Sequence, residues 1–132
     1  MPSNSEAVLN TLRAEALNVR RNIWRAFRAA GSGHVGGSSS AADLLAALYF
    51  YFLKLRPEQP EWRGRDRFVL SKGHANAALA SVLAQAGFFP ESMLDNFYGY
   101  ESLMGMHPDI KLAGVEMSTG GLGHGLSVGV GM

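Results

Sequence analysis

Three of the four histidines, His34, His74 and His107, stand in glycine- or proline-bearing stretches at the ends of expected elements. Imidazole suits chemistry that moves a proton or bonds a hydroxyl near neutral pH. Loops at element ends are also where α/β proteins place ligand contacts. Placement alone leaves a plain alternative, since histidine is polar and so are loops. No two histidines have the i, i+4 spacing of a helical metal pair, which argues against zinc.

Two glycine runs accompany them. Gly33-His34-Val35-Gly36-Gly37-Ser38 would let a ligand approach the backbone, with a following helix presenting free N–H groups to an anion. It lacks the Lys-Ser/Thr of a P-loop and misses the dinucleotide spacing, so an ordinary turn is the competing reading. Thr119-Gly120-Gly121-Leu122-Gly123-His124-Gly125 places four glycines in six positions ahead of a small-residue helix. It reads either as a cradle for a flat or phosphorylated ligand, or as a tight turn with close helix packing continued by Gly129 and Gly131. Of the nearby charges, Asp66-Arg67 reads as a structural ion pair, and Asp109 is placed to orient His107. No Ser/His/Asp order or paired carboxylates stand out, and Glu116 has no assigned role.

Elements must hold these loops in place. Leu9, Leu12, Ala16, Val19, Ile23, Phe27 and Ala30 recur at three- and four-residue steps. They predict an amphipathic helix capped by Ser5, with arginines on its outer side and a stop at Gly31-Ser32-Gly33. Ser40 is expected to cap a second helix over 41–54, with Asp43 in its first turn; it is apolar nearly all round and so should be buried on more than one side. Pro57 and Pro60 mark a loop. Residues 67–71 form the best strand candidate, followed by helices over 75–85 and from Pro90 to about Phe97. Residues 98–116 read as irregular. This succession suggests an α/β layer with a parallel sheet.

Composition narrows the classes. The 132 residues are 47% hydrophobic and 17% charged, which suits a packed domain or part of one. Net charge is +1 with scattered basic residues, so neither nucleic acid nor an acidic membrane surface is an expected partner. The absence of cysteine excludes disulfides and thiolate metal sites. Asn4, Glu6 and Glu15 argue against a signal peptide, and the apolar run 44–53 is far short of a membrane span. A soluble cytoplasmic protein is therefore expected. Residues 125–132 end without a charged last turn or capping glycine, so the chain is expected to be a fragment.

The motifs in order carry a resemblance. Ser32-Gly33-His34 precedes a Ser-Ala-Ala-Asp helix, and Arg65-Asp66-Arg67-Phe68-Val69-Leu70-Ser71-Lys72-Gly73-His74 follows. Then come Gly105-Met106-His107-Pro108-Asp109 and Gly114-Val115-Glu116-Met117-Ser118-Thr119-Gly120-Gly121-Leu122-Gly123-His124-Gly125. From about Leu9 onward this resembles the N-terminal domain of transketolases. Lys72 and Met117-Ser118-Thr119 are most similar to the split bacterial form, in which that domain is a separate subunit.

The resemblance implies that residues 1–132 are the front part of a thiamine-diphosphate-binding α/β domain, with a parallel sheet flanked by helices. It implies transfer of a two-carbon ketol unit between sugar phosphates. It also implies a dimer or heterotetramer, completed by a pyrimidine-binding domain or C-terminal subunit. His34 matches the histidine near the cofactor's reactive carbon and the sugar hydroxyls, and His107 a third, substrate-facing histidine. His74 matches the one contacting the diphosphate; Gly120, Gly121 and Leu122 match the cofactor-contacting segment. Gly121 replaces the family's usual proline or serine, His124 its frequent glutamine, and Met106 its frequent glycine.

The family's Mg2+ ligands, a Gly-Asp-Gly motif and a later asparagine, would lie downstream. The activating glutamate belongs to the other domain or subunit, so this chain alone is expected to be inactive. A deoxyxylulose phosphate or dihydroxyacetone type synthase and a non-catalytic assembly module are the competing readings.

Overall fold

The computed structural model describes residues 4–132. Helix α1 spans Asn4–Ala30. The expected apolar stripe turns inward from Ala16, through Val19, Ile23, Ala26 and Phe27, whereas Leu9 is exposed. Ser5 lies within the first turn rather than ahead of it, so it does not occupy the cap position the sequence suggests. Gly31 ends the helix at φ +69°, and its N–H donates to Phe27 O at 2.9 Å. That left-handed turn is why glycine is required there.

The expected second helix is broken into pieces. A short α2 (Val35–Ser39) leads through Ser40 into α3 (Ala42–Ala47), which widens into a π-helical turn over Leu48–Phe52. Ser40 closes α2 instead of capping α3, its hydroxyl donating to Gly37 O at 3.1 Å. A serine preceding an apolar helix normally competes for the cap; here the preceding carbonyl captures its hydroxyl. The wide turn buries Tyr49 against Phe68, with ring centroids 5.8 Å apart, but leaves Tyr51 and Phe52 exposed, as α3 leaves Leu44. This helix is therefore not covered all round among the described residues.

Residues 67–71 are not a strand, and no strand occurs among the described residues. A strand exists only through a ladder of backbone bonds with a neighbour. What holds this segment instead is isolated: Asp66 N–H donates to Lys54 O, and Thr119 Oγ1 to Leu70 O. A 3-10 turn, Gly73–Ala75, then opens into α4, Asn76–Gln85. Residues 76–84 are buried throughout, as expected of an alanine-rich helix that is apolar on every side. Leu79 and Leu83 meet Ile23 and Leu45 in one core, each such side chain contributing about 1.5–3 kcal/mol relative to exposure. The segment after Pro90 is a 3-10 helix over Glu91–Asn96 rather than an α-helix. Phe97, which follows it, packs edge-on to Phe27 at 6.2 Å. Helix α5 spans His124–Gly131. Among the described residues no helix is long and apolar enough to cross a membrane.

Ion pairs fasten α1 to its neighbours. Arg20 binds Asp43 through both guanidinium nitrogens, and Arg25 binds Asp95 at 2.6 Å. Each hydrogen-bonded guanidinium holds its carboxyl below the usual carboxylate range. The depressed folded pKa fixes the sign. The contribution is complete above about pH 4 and is lost as pH falls through the depressed value. Asp43 is largely solvent-exposed, so screening leaves only a small effect. Asp43→Asn is expected to lower the thermal midpoint by about 1–2 °C at pH 7 in low salt. The difference should shrink as pH falls through the depressed value, and in about 1 M salt, as scanning calorimetry at paired conditions can test.

Candidate active site

The site is built where α2, the Gly73–Ala75 turn and the residue 105–123 loops meet. His34 directly precedes α2 and is exposed; its carbonyl accepts the Ser38 N–H at 3.1 Å. His74 sits in the 3-10 turn and is half-buried. The two imidazoles meet edge to face, with centroids 5.3 Å apart. Gly37 allows this approach. A Cβ there would stand 3.1 Å from both Cδ2 and Nε2 of His74.

His107 joins through a second glycine contact. A Cβ on Gly73 would lie 2.6 Å from Thr119 O and 3.1 Å from His107 Cδ2, and one on Gly120 would lie 3.9 Å from the same ring carbon. The His107 ring edge thus stands beside both Gly73 and Gly120. Gly73 adjoins His74 in the chain, so the His34–His74 ring pair and the His107 ring edge beside Gly120 gather around the Gly73–Ala75 turn. Gly121 and Leu122 follow on an exposed turn that reverses at Gly123, φ +85°. Leu122 is 72% exposed, and its side chain is free to meet an arriving ligand.

Polar contacts fix the walls. Thr119 is buried and donates its hydroxyl to Leu70 O at 2.6 Å. Ser71 Oγ accepts the Gly125 N–H at 3.2 Å, and a Cβ on Gly125 would fall 2.8 Å from Ser71 Cα. Close packing is therefore real at Gly125, while Gly129 and Gly131 have no neighbour that a Cβ would meet among the described residues. Lys72 Nζ donates to Ser40 Oγ at 3.2 Å, linking the His74 turn to α2. His124 is exposed, and its backbone N–H donates to Gly121 O.

Two sequence expectations change. Asp109 does not turn toward His107: its carboxylate accepts the Lys111 N–H at 2.9 Å, the short-range turn that aspartate readily makes. Asp66 and Arg67 do not pair with each other. Asp66 accepts the Lys54 N–H, and Arg67 reaches Glu116 at 3.3 Å. Glu116 also holds Arg65 through two bonds of 2.9 Å.

One residue at the site escapes sequence reasoning. Asn76 is wholly buried at the start of α4 and donates to the carbonyls of Gly105 and His107. Its signal is an amide side chain at the head of a helix that is otherwise mostly alanine, leucine and valine. No group of three or more His, Asp or Glu side chains converges to hold a metal among the described residues.

The histidine pair, the His107 ring edge and the exposed Leu122 turn bring imidazole and backbone groups into one neighbourhood. A family model described as the transketolase, thiamine diphosphate binding domain matches residues 7–132.

The chain belongs to the transketolase family.

Over 124 residues this transketolase-family chain is 40% identical to one subunit of the apulose-4-phosphate transketolase of Phocaeicola vulgatus, covering 94% of the chain and 44% of that protein. It is 48% identical over 103 residues to the 6-deoxy-6-sulfo-D-fructose transketolase subunit SqwG of Clostridium sp. strain MSTE9, covering 77% of the chain and 38% of that protein. The chain thus spans less than half the length of these curated relatives. Transketolase from Leishmania mexicana superposes with a TM-score of 0.86 at 32% identity, over 91% of this chain and 18% of that one. The Campylobacter jejuni enzyme gives 0.84 at 39% identity, over 91% of this chain and 19% of that one. The fold is that of the corresponding part of transketolases.

Proposed function

We propose that this chain is the front part of the diphosphate-binding domain of an assembly that transfers a two-carbon ketol unit from a ketose phosphate to an aldose phosphate. The observation that carries the proposal is the gathering of His34, His74, His107 and Gly120 around Gly37 and Gly73. The parallel sheet, a cytoplasmic location and a dimeric or heterotetrameric assembly belong to the same proposal. Relatives named as subunits support a partner chain carrying the pyrimidine-binding domain.

The chemistry of this cluster is compatible with thiamine diphosphate. Gly120 and Gly121 are exposed and carry no side chain, so a flat ligand can lie against their main chain. His74 and the Gly120-Gly121-Leu122 segment would hold the cofactor, with Leu122 closing over it. Bound there, thiamine diphosphate supplies the electron sink that carbon–carbon bond cleavage requires. His34 and His107, both exposed, bind the sugar hydroxyls and hold or release a proton at a ring nitrogen. Lys72 and Ser40 keep the His74 turn seated on α2. Magnesium has no donor set among the described residues, and its proposed ligands lie outside them.

The test is ketol transfer from xylulose 5-phosphate to ribose 5-phosphate by the complete assembly with thiamine diphosphate and magnesium. Apulose 4-phosphate and 6-deoxy-6-sulfo-D-fructose, after the named relatives, extend the donor panel. His34→Ala and His107→Ala should each lower kcat by about 10²-fold or more while cofactor binding persists. Unchanged transfer in both variants overturns the roles given to these histidines. Cofactor binding without transfer from any donor points to a sibling synthase, and no binding at all points to an assembly module.

A further inference from the structure

Asn76 is fully buried, yet the two hydrogen bonds of its side chain both leave from the same atom. Nδ2 donates to Gly105 O at 2.8 Å and to His107 O at 3.1 Å. The carboxamide orientation is decided by these partners: reversing it would aim Oδ1 at two carbonyl oxygens, leaving acceptor against acceptor. In the orientation that satisfies them, Oδ1 is buried without a hydrogen-bond partner. An unpaired buried acceptor is unfavourable, so the side chain is retained for its donors.

Those donors do something specific. They bracket the turn from Gly105 to His107, whose imidazole stands beside Gly73 and Gly120. Asn76 also begins α4 directly after the 3-10 turn carrying His74. One helical unit therefore carries one histidine of the cluster and the clamp on another.

We infer that Asn76 is a positioning residue for His107, its buried carboxamide clamping the 105–107 turn and thereby setting where that imidazole stands relative to His74 and Gly120. The clamp itself follows from the contacts; its consequence for ketol transfer rests on the function proposed above.

Asn76→Asp tests the inference because it keeps the shape and replaces both donors with acceptors. With its carboxyl ionised, it faces two carbonyls and repels the turn; protonated, it regains one O–H donor. Burial pushes such a carboxyl upward in pKa, so recovery should occur within an accessible range. Hydrogen exchange of segment 105–107 in the full chain, compared with the parent at each pH, should be faster by about tenfold or more near neutrality. The ratio should fall back on acidification, with the His107 ring resonances shifting in parallel. Asn76→Ala should show the faster exchange with no recovery at low pH. A residue that merely fills space would give no such pH dependence. In the complete assembly the clamp variants should lose kcat with KM for the ketose phosphate changed little.

Should Asn76→Asp fail to fold, Asn76→Ser supplies a neutral single donor, expected to loosen 105–107 while α4 stays protected. Exchange and His107 resonances matching the parent's in the folded variants would overturn the inference. If the ring resonances respond but the parent assembly transfers no ketol unit, the clamp stands and the proposed function fails.

Discussion

Glu116→Gln is expected to lower the unfolding free energy by about 3–5 kcal/mol, because it leaves a nearly buried guanidinium without its counter-charge. Arg65 and Glu116 side chains are only 10% and 8% exposed and are joined by two bonds of 2.9 Å. Glutamine preserves the shape and can accept one bond, but Arg65 keeps its charge and its remaining contact with Trp62 O. Against the roughly 5–15 kcal/mol typical of a whole domain, such a loss decides whether the chain stays folded. Urea unfolding followed by circular dichroism measures it. Combining Glu116→Gln with Arg65→Met should recover much of the loss, since the pair is costly to break but replaceable by apolar packing. Glu61→Gln, at an exposed position, serves as the control and should stay within about 0.5 kcal/mol of the parent. A midpoint unmoved by Glu116→Gln would mean the ion pair does not carry the junction between residues 65–67 and 115–119.

Gly73→Ala should cost about 1–3 kcal/mol and, more tellingly, disturb the histidine cluster. The new methyl would lie 2.6 Å from Thr119 O and 2.9 Å from Thr119 C, both backbone atoms that cannot swing aside as a flexible side chain can. Either the Gly73–Ala75 turn or the Thr119-Gly120 segment must move, and His107 Cδ2 at 3.1 Å moves with it. Gly36→Ala is the matched comparison. It lies in the neighbouring short helix, and a Cβ there meets nothing within 4 Å. Thiamine diphosphate affinity measured calorimetrically in the complete assembly should fall by about tenfold or more for Gly73→Ala and change little for Gly36→Ala. Equal affinities for both would remove Gly73 from the cradle.

How much of this is readable from residue order alone differs from element to element. The inward face of α1 from Ala16 to Phe27 is legible because helical periodicity is local and needs no knowledge of the partner. Residues 67–71 mislead for the opposite reason: apolar composition can suggest a strand, but only a neighbouring backbone makes one. Ser40 fails as a cap because Lys72, distant in sequence, and the Gly37 carbonyl claim its hydroxyl. Asp109 is a reasonable partner for His107 until the nearer Lys111 N–H takes its carboxylate. The association of His34, His74 and His107 is suggested by the order of motifs, not by any single one. Their approach depends on Gly37 and Gly73 lacking side chains, which composition reveals only as an excess of small residues. Asn76 stays hidden because its partners are carbonyls, invisible to any pattern of residue types.

The burial of α4 has a bearing on how this site can diversify. Residues 76–84 are all buried and Asn76 bonds the His107 carbonyl, so a change near Asn76 reaches both the interior and the turn that carries His107. The turn at Gly121 and Leu122 has no such tether and stands open to solvent. Variation can accumulate at that outer rim without unsettling the interior, while the inner wall tolerates little. Differences in the ligand accommodated should therefore arise through the rim, on an inner wall that stays the same.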